Sequence, residues 1–140
     1  MRLCSLVLLL ILGRDVLAVP QVTRQHGAFS PGMVVPIRGK YFSGQVKFAS
    51  EMDLRDCRQM RARMQLVNRS QKPACFAVYL TIQDARGNLL GAEGYQESVF
   101  LRGPGWEFDH QADLAMPKAE HSSAAHFQIV LVEDEKRLTE

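Results

Sequence analysis

Residues 75–84, reading CFAVYLTIQD, limit the possible folds more than any other stretch. Phe76, Val78, Leu80 and Ile82 fall on one side of an extended chain. Cys75, Ala77, Tyr79, Thr81 and Gln83 fall on the other. Strict alternation in a segment this rich in β-branched and aromatic residues predicts a strand. Asp84-Ala85-Arg86-Gly87-Asn88 follows with turn chemistry: a side chain that bonds to backbone just ahead of it, and residues that tolerate a positive φ. A strand with one wholly apolar face needs a second layer to cover it, so this strand belongs at the centre of a sandwich.

The remaining alternations fit the same architecture. Gln59–Val67 places Met60, Ala62, Met64 and Leu66 opposite Arg61, Arg63, Gln65 and Val67. Trp106–Leu114 places Trp106, Phe108, His110, Ala112 and Leu114 opposite four polar residues, and Phe127, Ile129 and Leu131 share one side of a last strand. Tyr95–Leu101 and Val46–Ala49 read as shorter strands, and Met33–Ile37 as an edge strand because Pro36 cannot donate to a ladder. Val19–Ser30 reads as polar and irregular, with at most a short edge strand near Val22. Glu133 onward reads as a charged tail, frayed from about residue 134. Ser50–Asp53 resembles a helix start and predicts one or two turns over Glu51–Arg58; a longer helix reaching Met64 competes with the strand there. The expected fold is all-β: an antiparallel immunoglobulin-like sandwich of seven or eight short strands with little helix.

Residues 1–18 stand outside that domain. Arg2, the apolar run Leu6–Leu12 and the small residue Ala18 form the pattern of a secretory signal, and the run is too short to span a bilayer. The competing reading is an uncleaved membrane anchor. Cleavage after Ala18 leaves one domain over 19–140, periplasmic or secreted, with no transmembrane anchor. Export bears on Cys57 and Cys75, which meet an oxidising compartment. A bridge between them would stabilise by about 3 kcal/mol in the chain-entropy model. If the strands over 59–67 and from 75 formed a simple hairpin, however, Cys57 would lie roughly 30 Å from Cys75 at about 3.3 Å per residue. Bridged Cα atoms stand within about 7 Å. The two readings stay open.

Asn68-Arg69-Ser70, the turn Asp84–Gly91 and Pro104-Gly105 before Trp106 and Phe108 together resemble the FxLYD-type sandwich domains of bacterial envelope proteins. The resemblance covers about Arg63–Val132. It departs at the motif itself, since Tyr79-Leu80-Thr81-Ile82 replaces F-x-L-Y-D. It implies a binding or spacer module and assigns no site residue.

Chemistry is sparse. The spacing of His121 and His126 matches no zinc signature, Ser122 or Ser123 lies in no nucleophile elbow, and the acidic run Glu133-Asp134-Glu135 reads as solvated. His110 reads as a structural histidine where a core stripe meets solvent. Asn68-Arg69-Ser70 is a glycosylation sequon in a eukaryotic pathway and a tight turn in any other. No catalytic residue, metal or cofactor is expected.

Charge is the one global asymmetry: ten Lys/Arg against three Asp/Glu over 19–75, and five against eleven over 76–140. Either basic and acidic strands neighbour one another, or Arg55, Arg58, Arg61, Arg63 and Arg69 form a patch for an anionic partner. Export and a near-neutral total disfavour nucleic acid. Three function classes follow. The first is a module binding another envelope or surface protein through a sheet edge or an exposed apolar face, such as an accessory of a secretion or assembly system. The second binds carbohydrate or anionic lipid head groups through the Arg-rich strand. The third, a small hydrolase, has the least support. The signal reading predicts that N-terminal sequencing of exported protein begins Val19-Pro20; a start at Met1 contradicts it.

Overall fold

The computed structural model describes residues 19–50, 60–116 and 123–136. The expected helical turns over Glu51–Arg58, Cys57 with its bridge to Cys75, and Arg55 and Arg58 lie outside the described residues. The rest is an all-β antiparallel sandwich with eight strands among the described residues: β1 (Gln21–Ala28), β2 (Val34–Arg38), β3 (Phe42–Phe48), β4 (Met60–Asn68), β5 (Ala74–Gln83), β6 (Leu89–Arg102), β7 (Glu107–Leu114) and β8 (His126–Asp134). One sheet has the order β1-β8-β5-β6 and the other β2-β3-β4-β7.

The alternation of β5 works as the sequence predicts. Phe76, Val78, Leu80 and Ile82 are fully buried, and β5 is an interior strand between β8 and β6. Phe76 is the hub of the core: its ring lies 4.8 Å from Phe42 on β3, 5.1 Å from Phe108 on β7 and 6.2 Å from Trp106. Aromatic contacts at these separations stitch the layers together beyond what area burial alone supplies. Asp84 closes the β5–β6 turn, its Oδ1 accepting the N–H groups of Arg86 and Asn88 at 2.9 Å. Pro36 sits on β2, an edge strand, as its missing donor requires.

Several elements depart from the expectations. β4 is a strand throughout Met60–Asn68, so the competing helix does not extend to Met64. It pairs with β3 and β7 rather than with β5, so the chain changes sheets between Asn68 and Ala74. The hairpin geometry that separated Cys57 from Cys75 therefore does not exist. β1 is a full eight-residue strand because its backbone ladder to β8 holds it. Its inward positions Thr23, Gln25 and Gly27 carry no apolar signal for a sequence reader to detect. β3 begins at Phe42, hidden by Ser43 and Gly44, and β6 begins at Leu89, hidden by Gly91 and Gly94. In each case pairing with a neighbour overrides weak strand propensity.

The largest departure is Glu133, which belongs to β8 and not to a frayed tail. Inward phase continues from Phe127, Ile129 and Leu131 to Glu133, which is 0% exposed. Its Oε1 accepts the N–H groups of Tyr41 (2.9 Å) and Phe42 (2.7 Å), and its Oε2 that of Lys40 (2.8 Å). A buried carboxylate is tolerated where its lone pairs are filled in this way. Gly39 makes room for it, because a Cβ there would collide with the Glu133 carboxylate. Glu135 continues the attachment, accepting the Tyr41 hydroxyl at 2.7 Å and pairing with Lys72 at 3.2 Å.

Candidate interaction surfaces

The two sheets present unlike outer faces. On the β2-β3-β4-β7 sheet the outward positions of β4 are Arg61, Arg63 and Gln65, and those of the neighbouring β7 are Asp109, Gln111 and Asp113. Opposite charges meet there. Arg63 donates through Nε and Nη2 to both oxygens of Asp109, the first at 2.7 Å, and Arg61 lies 3.6 Å from Asp113. The Arg63 contact, joined by a bond from Gln65, holds the Asp109 carboxyl below the usual carboxylate range, and Asp109 in turn raises the guanidinium. The basic strand is thus laid against an acidic one, and two of the five arginines are occupied within the molecule.

Arg69 lies beyond the end of β4, exposed, with its backbone N–H on the carbonyl of Tyr41. It does not join Arg61 and Arg63 in one cluster: six or more residues of strand separate them, about 20 Å at 3.3 Å per residue. Near it, a shallow concavity of about 700 Å³ runs over the outer face, with Arg38 and Arg69 on its basic side and Glu107 and Asp109 on its acidic side. Such a groove has mixed polarity, in keeping with the account in which basic and acidic strands neighbour one another.

The outer face of the β1-β8-β5-β6 sheet has an apolar patch at one end and turns polar beyond it, where His26, Gln128 and Thr81 form a further row. The ladders set Val22, Val132, Ala77 and Gln96 in one row across the four strands, and Arg24, Val130, Tyr79 and Gly94 in the next. Val22 is 50% exposed and Tyr79 37%. The Tyr79 ring lies across Gly94, where an added Cβ would come within 2.8 Å of it, and its hydroxyl accepts the Gln96 amide at 2.6 Å. An outward sheet face is ordinarily polar, so this valine-and-tyrosine patch is the feature that distinguishes it. The signal was present: Val130 and Val132 alternate with the core residues of β8, which makes that strand apolar on both sides.

The remaining sequence candidates resolve as structural parts. Asn68 is 1% exposed; its Nδ2 donates to the carbonyls of Lys72 and Arg102, both at 2.8 Å, while its Oδ1 accepts the Ser70 N–H and hydroxyl. The sequon therefore works as a turn whose amide is fully engaged. His110 is half-buried, with its ring 5.1 Å from that of Tyr95 and 5.9 Å from that of Phe108. Cys75 is buried, its Sγ 2.7 Å from the carbonyl oxygen of Lys136. Among the described residues, no three His, Cys, Asp or Glu side chains gather as metal ligands.

No protein-family model matches this chain, and a search of curated proteins returns no match.

Among the described residues, three carboxyls are held below their usual range: Asp109 by Arg63, Glu135 by the Tyr41 hydroxyl and then Lys72, and Asp84 by the Asn88 side chain. A carboxyl lowered by folding lends stability that is fully present above its unfolded value and is lost as pH falls through the folded one. The thermal midpoint is therefore expected to hold steady near neutrality and to fall below about pH 4. Asp109→Asn should lower the midpoint at neutral pH and make the acid drop shallower. A drop of unchanged slope in Asp109→Asn contradicts this account of the charged face.

Proposed function

We propose that this domain is a non-enzymatic secreted or periplasmic binding module, and that it docks another envelope or surface protein on the outer face of the β1-β8-β5-β6 sheet. The observation that carries the reading is the contrast between the two faces. One is covered by Arg–Asp pairs that satisfy themselves. The other exposes Val22 and Tyr79 beside Val130 and Val132, around a single arginine, Arg24. Contiguous apolar surface on a small domain marks an interaction site more often than chance, and tyrosine and arginine are over-represented where binding energy concentrates. The resemblance to envelope sandwich modules supports the same class. The alternative reading, an Arg-rich strand for glycan or lipid, loses support because Arg61 and Arg63 are engaged by aspartates of the neighbouring strand.

Site-specific photo-crosslinking in the intact envelope tests the proposal. A crosslinking side chain at Val130 is expected to trap a discrete protein, and one at Arg63 is expected not to. Tyr79→Glu should abolish the adduct formed from Val130 while leaving the thermal midpoint within a few degrees of wild type, the usual result for a surface change. Trapping from Arg63 alone, or an adduct indifferent to Tyr79→Glu, overturns the reading.

A further inference from the structure

Each sheet ends in two strands that have one neighbour among the described residues: β1 and β6 in one, β2 and β7 in the other. Every second residue of such a strand turns its backbone N–H and C=O away from the ladder, where another chain can pair with them. Three of the four edges are short. β2 has five residues and holds Pro36, which cannot donate, while β1 and β7 have eight each. β6 runs for fourteen residues, Leu89–Arg102, without proline or lysine. β5 pairs with one side of it, and no strand of the described residues pairs with the other.

The regular part of this edge is 91–97, which pairs residue for residue with 76–82. A bulge ends it. Ala74 pairs with Arg102 and Phe76 with Glu97, so four residues of β6 stand opposite Cys75 alone, and Phe100 and Leu101 are left 59% and 43% exposed. Phase then decides what the edge can accept. Gly91, Glu93, Tyr95 and Glu97 lie opposite the core residues Ile82, Leu80, Val78 and Phe76, so two carboxylates sit on the inward side of an edge strand. The other three edges carry no acidic residue on that side.

The two carboxylates differ. The Glu97 side chain is 11% exposed and is answered within the chain, by Arg102 at 2.8 Å and by the Tyr95 hydroxyl, which donates to it at 2.9 Å. Glu93 is half-buried and enters no salt bridge among the described residues. Inward charge on an edge strand guards against pairing with a like strand, because two copies of β6 would set carboxylates against carboxylates. The same unanswered charge selects a strand that brings a cation. Two residues along the same side, Tyr95 presents a half-buried ring, 4.5 Å from Phe108 and 5.1 Å from His110.

We infer that the β6 edge over 91–97 accepts an extended segment of another protein as a fifth strand of the sheet, with a lysine or arginine across from Glu93 and an apolar residue across from Tyr95. In strand addition of this kind the backbone pairing supplies affinity and the alternate side chains supply the selection. The site is separate from the outer face of the sheet, since it uses the rim and the side chains turned toward the other layer.

Exported wild-type protein is titrated with two capped probe peptides, Thr-Val-Thr-Lys-Thr-Val-Thr and the same peptide with glutamate in place of lysine. Amide hydrogen exchange and chemical-shift change are followed along every edge strand. Both patterns are symmetrical, so either strand direction presents the same side chains. The lysine peptide is expected to slow exchange at alternate residues of 91–97, to leave β1, β2 and β7 unchanged, and to bind about fivefold or more tightly than the glutamate peptide, as one cross-strand charge pair implies. Glu93→Lys, with wild-type near-ultraviolet circular dichroism, should reverse that preference, and Glu93→Gln should erase it. Equal affinity of wild type for both peptides, no protection along β6, protection on a different edge, or an unchanged preference in the two variants overturns the inference. So does self-association of the wild-type protein through β6.

Discussion

The buried carboxylate of Glu133 is the constraint on which the arrangement of this sandwich depends. Its strand lies in one sheet, and the three N–H groups it accepts lie in the β2–β3 turn of the other. Hydrophobic packing between sheets is non-directional, and by itself would allow the layers to slide or splay at their ends. A charge that must keep three short hydrogen bonds does not allow it. The backbone amides in turn have a fixed acceptor, which satisfies donors that a tight turn would otherwise bury unpaired. Gly39 is part of the same device, since any side chain there would occupy the carboxylate's place.

This fixed end organises the surfaces around it. Tyr41 and Lys72 are tied to Glu135, and Asn68 ties the β4–β5 loop to the carbonyl of Arg102. The loops of one pole therefore form a continuous, hydrogen-bonded surface in place of separate mobile tips. The charged face and the apolar patch lie on opposite outer sides of the sandwich. Binding costs are lowest where the contacting groups are already ordered, and here the ordering is done by backbone hydrogen bonds far from either outer face.

Much of the fold was legible, for a physical reason that also explains what was not. β4 and β5 each bury one continuous apolar face, β7 and β8 one broken only by His110 and ended by Glu133, and period-two alternation reports that burial directly. β1 and the first half of β6 are sheet edges stabilised by backbone ladders, which leave no trace in side-chain pattern. The partner of β4 was equally hidden: a five-residue loop serves a hairpin or a change of sheet, and the inward faces of both strands look alike. Glu133 was misread because an acidic run ordinarily stays solvated and its partners are backbone groups. The phase of Phe127, Ile129 and Leu131 pointed to an inward position at 133 all the same. For the candidate surfaces, the pairing of basic with acidic strands was foreseen as one of two accounts, whereas the bulge that exposes Phe100 and Leu101 follows from pairing alone.

The most direct measurement is amide hydrogen exchange at Lys40, Tyr41 and Phe42 in wild type and in Glu133→Ala. If Glu133 fixes the two sheets, these three amides exchange in wild type only on global unfolding, although they lie in and beside a turn. Removing the acceptor leaves buried donors unsatisfied, so Glu133→Ala should lose that protection and about 3–5 kcal/mol of stability. Rapid exchange of the three amides in wild type, or retained protection with near-normal stability in Glu133→Ala, would contradict the account.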